Sequence, residues 1–170
     1  VKCAERCLPE GVPDAALKEM VRVQQQDYGS SWDKDVTIYD GIIECLTHLQ
    51  AEHTAIAVLS NKNHDFTLQC VERFFGDFRF DAVVGFSAEV PHKPDPTGAI
   101  AIARELGLHP AEIAFVGDTA TDMHTAVAAG NLPVGALWGF READELKKAG
   151  ARHIIEHPTD LFAVMEGETK

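Results

Sequence analysis

Three short stretches hold the residues whose types and spacing could do chemistry: Ser60-Asn61-Lys62, Lys93 in "HKPDP", and the carboxylates Asp118 and Asp122 in "FVGDTATDMHTAVAAG". A hydroxyl beside main-chain N–H groups, a fixed ammonium and two carboxylates suit a phosphoryl group held against a hard divalent cation. Mg²⁺ takes oxygen ligands and usually shares them with phosphate. Asp118 directly follows the apolar run "AFVG", where burial is expected and an unpaired charge is costly. Plainer readings stand beside this one. Asp122 could serve only the dipole of the helix it opens, Ser60 could be a helix cap, and Lys93 could be a solvated charge in a loop stiffened by Pro94 and Pro96.

The three stretches share a place in the pattern of elements. Apolar runs typical of strands, "TAIAVLS" (54–60), "FDAVVGF" (80–86), "EIAFVG" (112–117), "LPVGALWG" (132–139) and "RHIIE" (152–156), alternate with helical segments. Those segments are "NHDFTLQCVERFFG", "PTGAIAIAREL", "TDMHTAVAAG" and "EADELKKAG", with Gly76, Gly107 and Gly130 stopping the first three. The alternation predicts a doubly wound α/β fold, a parallel sheet with helices on both faces. Ligands of such sheets bind outside the carboxyl ends of the strands, and Ser60, Lys93 and Asp118 each follow a strand, so they are expected to lie close together at that edge.

Residues 1–36 read differently. Pro13 and Asp14 open a helix with Leu17, Met20 and Val21 on one side, followed by the polar "QQQDYGSSWDKD". "SSWDKDVTIYDG" has the composition of a linker, which sets a boundary near residue 36 between a helical piece (1–36) and an α/β core (37–170).

Composition narrows the function classes. The chain has 170 residues, 45% of them hydrophobic, enough for one domain core. Its 27 acidic and 15 basic residues give a net charge of −12, which argues against a nucleic-acid or anionic-membrane surface; local groups must hold any anion. No apolar run approaches the roughly 18 residues of a membrane span, and none resembles a signal peptide, so the protein is expected to be cytoplasmic. Cys3, Cys7, Cys45 and Cys70 lack paired spacing and read as reduced thiols, Cys45 and Cys70 at apolar helical positions.

In this order and spacing, "VLSNK", "HKPDP" and "VGDTATDMHTAVAAG" resemble the second, third and fourth motifs of the haloacid dehalogenase superfamily, and within it the phosphoglycolate phosphatase-like hydrolases. The resemblance spans about residues 37–165; "IYDGIIECLTHLQ" resembles the return from a helical cap to the core, and residues 1–36 the C-terminal part of that cap. It implies a Mg²⁺-dependent phosphatase, monomeric or homodimeric, that hydrolyses a small phosphorylated metabolite such as phosphoglycolate through an aspartyl-phosphate. The alternatives are another capped member, a sugar-phosphate mutase or phosphonate hydrolase, and a non-catalytic binding or regulatory protein. The resemblance also implies roles. Ser60, with the Asn61 backbone alongside, binds the phosphoryl group, and Lys93 neutralises the phosphoryl oxygens and the nucleophile. Asp118 binds Mg²⁺; Asp122 supports the metal, directly or through water, or holds Lys93. Lys62 has no assigned chemistry.

One motif of that family has no counterpart here. Its nucleophile lies in a D-x-D-G-T motif on the central strand. "YDG" at 39–41 lacks the second Asp and opens a helix whose Ile42, Ile43, Leu46 and Leu49 are expected to face a core, while "WDKDV" at 32–36 follows no strand. The family's strand order would put the missing strand between 54–59 and 113–117. The sequence is therefore expected to be an N-terminally truncated piece that gathers phosphate without hydrolysing it and leaves strand edges unpaired.

Overall fold

Residues 13–34 and 36–168 are described by the computed structural model; Cys3, Cys7 and Asp35 lie outside the described residues. Contacts divide the chain into two units, Val1–Thr37 and Ile38–Lys170. In the first, helix α1 (Asp14–Ser31) has Leu17, Met20 and Val21 half-buried along one side. It runs on to Ser31 through a polar stretch expected to lead into a linker: that stretch contains no proline, and polarity alone does not stop a helix.

The second unit alternates α2 (Ile42–Ala51), β1 (Ala57–Asn63), α3 (His64–Phe75), β2 (Ala82–Phe86), α4 (Thr97–Leu106), β3 (Ala114–Gly117), α5 (Ala120–Ala129), β4 (Leu132–Ala136), α6 (Ala143–Lys148), β5 (His153–Ile155) and α7 (Leu161–Glu168). All strand pairs are parallel. On one face of β3-β4-β5, Leu132, Val134 and Ile155 pack with Cys45 and Leu49 of α2 and Leu161 of α7. On the other, Leu137 and Ile154 meet Met123 of α5 and Leu146 of α6. This is the expected α/β architecture with both faces covered. Ile43 departs from expectation at 44% exposed, because the buried stripe of α2 runs through Cys45 and Leu49. Helix α7 was not foreseen; Phe162, Val164 and Met165 hold it against the core.

The strands form two sheets, where one was expected. Their orders are β1-β2 and β3-β4-β5, so among the described residues β1 and β3 are each hydrogen-bonded on one side only. A cavity of about 410 Å³ lies between them, lined by Ala57 and Leu59 of β1 and by Ala114, Phe115 and Val116 of β3. Val116, on an apolar strand, is 37% exposed. Asn131, 7% exposed, also lines the cavity; its Oδ1 has no hydrogen-bond partner among the described residues, while its Nδ2 donates to the Pro110 carbonyl at 2.9 Å. No helix among the described residues is long and apolar enough to cross a membrane.

Candidate functional site

Lys93 joins the two sheets at one end. Its Nζ donates to the Leu59 carbonyl of β1 at 3.1 Å and to Asp122 Oδ1, in the first turn of α5, at 2.6 Å. Because α5 follows β3, both contacts lie at carboxyl ends of strands, the edge where an open α/β sheet takes its ligand. The pair is sheltered, with the Lys93 side chain 15% exposed and that of Asp122 9%. The ammonium also lies 5.9 Å from the centre of the Phe115 ring, within range of a cation–π attraction.

Local sequence explains how each group is held. The pairing of β1 with β2 is regular from Ala57 to Leu59 and resumes only at Asn63 opposite Phe86, so residues 60–62 leave the ladder. There Ser60 Oγ accepts from the Lys62 N–H at 3.1 Å, which leaves the hydroxyl proton to donate. Ser60 is thus no helix cap; the cap of α3 is Asn63, whose side chain accepts from the Asp65 N–H. Thr67 Oγ1 donates to the Asn63 carbonyl at 3.0 Å, with the Lys62 carbonyl farther away at 3.4 Å. The Lys93 loop is flanked by His92, whose ring stacks on Phe86 with centroids 3.8 Å apart.

Asp122 stands at the helix start, as the plain reading has it, and also meets Lys93. It is a helix N-terminal residue in a capping box, its Oδ2 accepting from Thr119 Oγ1 at 2.6 Å and Thr119 N–H at 3.1 Å, and its Oδ1 carries Lys93. Both oxygens are engaged. Gly117 makes this possible, since a Cβ there would fall on the Asp122 side chain. Asp118 is half-buried, and its Oδ2 accepts from the Phe140 N–H at 3.0 Å. Gly139 permits that approach, as a Cβ there would overlap the Asp118 carboxyl group. Thr119, Gly139 and the Phe140 N–H were not singled out from the sequence. Only a T/S-x-x-D/E capping pattern at 119–122 could have flagged the first.

A divalent cation fits Asp118 better than Asp122. Asp118 Oδ1 makes no hydrogen bond among the described residues, and a hard carboxylate oxygen is the donor Mg²⁺ prefers. No cluster of three or more His, Cys, Asp or Glu side chains able to hold a metal occurs among the described residues, so a cation held by Asp118 would need its other ligands from water, a bound anion or further oxygens.

A family model for haloacid dehalogenase-like hydrolases matches residues 10–135. The chain belongs to that family. Among its curated relatives, a phosphoglycolate phosphatase of Pseudomonas putida is 26% identical over 157 residues, which are 92% of this chain and 56% of the relative. One from Escherichia coli K12 is 24% identical over 156 residues, 89% of this chain and 62% of the relative. The chain thus spans about three-fifths of the length of these relatives. A crystal structure from Lactobacillus delbrueckii subsp. bulgaricus matches with a TM-score of 0.85 and 25% identity, over 93% of this chain and 66% of that one. A haloacid dehalogenase-like hydrolase from Streptococcus pneumoniae, at 21% identity, shares the fold with a TM-score of 0.82 over 91% of this chain and 72% of its own. Within the haloacid dehalogenase-like family the resemblance is to the phosphoglycolate phosphatases, and the Rossmann-like architecture is the family's.

Proposed function

We propose that the protein is a Mg²⁺-dependent phosphatase of small phosphomonoesters, phosphoglycolate first among them, acting in the cytoplasm as a monomer or homodimer. The observation that carries this reading is the sheltered Lys93 ammonium between the Leu59 carbonyl and Asp122. An ammonium has three donors and two are used, so one remains for an anion. Ser60 donates its hydroxyl proton to a second phosphoryl oxygen, with the Asn61 backbone beside it. Asp118 Oδ1 binds Mg²⁺, which when bound neutralises charge on the phosphoryl oxygens. Asp122 acts through Lys93. Phosphoryl transfer depends on positioning and charge stabilisation, and this set supplies both.

The attacking carboxylate belongs to a strand seated between β1 and β3. The unpaired edges of these strands, the apolar cavity between them and the orphaned Asn131 Oδ1 all support an extended segment there. Its carboxylate oxygen bonds to phosphorus as the ester P–O bond breaks and the alcohol leaves with a proton from a neighbouring acid. Water then cleaves the aspartyl-phosphate, releasing inorganic phosphate and the carboxylate. Residues 1–170 alone bind phosphate without hydrolysing a phosphomonoester, and α1 belongs to a helical cap.

The test is hydrolysis of a generic phosphomonoester with Mg²⁺ by residues 1–170, alone and co-expressed with a segment bearing a D-x-D-G-T strand. Activity is expected only with the segment and is lost in Asp118→Asn. Turnover by residues 1–170 alone that Asp118→Asn abolishes would overturn the external nucleophile. Absence of both turnover and phosphate binding would overturn the phosphatase reading.

A further inference from the structure

Asn61 does more than lend its backbone. Its side-chain Oδ1 accepts from the Lys93 N–H at 2.7 Å and its Nδ2 donates to the Lys93 carbonyl at 3.2 Å. Both main-chain polar groups of one residue are thereby paired by one side chain, as a neighbouring strand would pair them. A carboxamide is the short side chain that offers a donor and an acceptor side by side, and only this orientation of the amide matches both partners. Asn61 can reach Lys93 because residues 60–62 have left the β1–β2 ladder.

We propose that Asn61 is the positioning residue of this site, its carboxamide clamping the main chain of Lys93 so that the ammonium stays between the Leu59 carbonyl and Asp122 and ties the two sheets together at their carboxyl ends. The neighbouring strands β1 and β3 share no hydrogen bonds among the described residues, so the polar chain Asn61, Lys93, Asp122 spans the interruption. Asn61 is exposed, and its two bonds compete with water, so the clamp fixes geometry at little cost or gain in global stability. The functional consequence rests on the phosphoryl-site reading above; the clamp itself does not.

The experiment compares residues 1–170 with Asn61→Ala and Asn61→Asp in three readouts: hydrogen exchange at the Lys93 amide, acylation of the Lys93 amine followed by mass spectrometry, and binding of inorganic phosphate with Mg²⁺. Asn61→Ala is expected to speed Lys93 amide exchange about tenfold and acylation several-fold, while the urea midpoint stays close to that of the parent. Asn61→Asp keeps the acceptor for the Lys93 N–H and restores slow exchange. Phosphate binding weakens about three- to tenfold in Asn61→Ala. Unchanged exchange and acylation in Asn61→Ala would overturn the clamp, as would a general loss of protection across the unit in place of a local one at Lys93. Phosphate that fails to bind the parent would overturn the phosphoryl-site reading and the clamp's part in it, while exchange and acylation still decide the clamp.

Discussion

Removing the Asp122 carboxylate should cost far more than removing its partner. In Asp122→Ala the Lys93 ammonium, 15% exposed, keeps only the Leu59 carbonyl, and Thr119 loses the acceptor for its hydroxyl and its N–H. An ammonium left unpaired in a sheltered site costs about 3–5 kcal/mol, with the Thr119 contacts accounting for about 1 kcal/mol within that range. In Lys93→Met the Asp122 carboxylate still accepts two bonds from Thr119, so the loss should be only about 2 kcal/mol. In the double variant no charge is stranded and the cost should fall to about 2–3 kcal/mol, a coupling of roughly 3–4 kcal/mol. Against a total stability of about 5–15 kcal/mol, these differences are large. Urea unfolding of the four proteins, followed by circular dichroism with equal m-values, reads them directly. Additive single losses, or a Lys93→Met cost equal to that of Asp122→Ala, would refute the view that Asp122 is present to hold the ammonium.

Other expectations follow from the same contacts. Gly139→Ala should displace the Asp118 carboxyl group and weaken Mg²⁺-dependent phosphate binding by about tenfold with the fold retained by circular dichroism; unaltered binding would count against Asp118 as the metal ligand. Gly117→Ala should destabilise by about 1–3 kcal/mol, because its Cβ needs the space of the Asp122 side chain; a neutral effect in urea unfolding would contradict the packing. Burial first, and the Glu44 charge second, push the Cys45 thiol above its ordinary 9.0. The folded thiol stays neutral where the unfolded one begins to ionise, so this contribution is intact below that value and declines as pH rises above it. Alkylation of native Cys45 at mildly alkaline pH should accordingly lag a free thiol, and equal rates would refute it.

The sequence exposed most of the architecture because each of the five strands carries its own apolar run and α3, α4 and α5 end on Gly76, Gly107 and Gly130, signals that local physics reads without help. What it hid depends on contacts between distant residues. The sequence leaves Asp122 two readings, an acid serving the helix N-terminus or the partner of Lys93, and only the 2.6 Å approach of Lys93 from 29 residues away shows that both contacts are made. The part played by the Asn61 carboxamide is invisible for the same reason, since its partner lies 32 residues on. Helix α7 was missed although Thr159 and Asp160, residue types that favour a helix start, directly precede "LFAVMEGE"; its place comes from packing of Leu161, Phe162, Val164 and Met165 on the core. The interruption of the sheet could be inferred only through the family's strand order, because the runs of β1 and β3 are as apolar as that of β4, which is paired on both sides.

The central claim is that Ser60, Lys93 and Asp118 form a phosphate site completed by Mg²⁺. Calorimetric titration of inorganic phosphate into residues 1–170 tests it most directly, with and without Mg²⁺ and in the variants Lys93→Met and Asp118→Asn. Phosphate should bind the parent in the presence of Mg²⁺, lose most of its affinity in Lys93→Met, and lose its dependence on Mg²⁺ in Asp118→Asn. Phosphate that does not bind the parent, or that binds both variants as tightly and with the same Mg²⁺ dependence, would contradict the account.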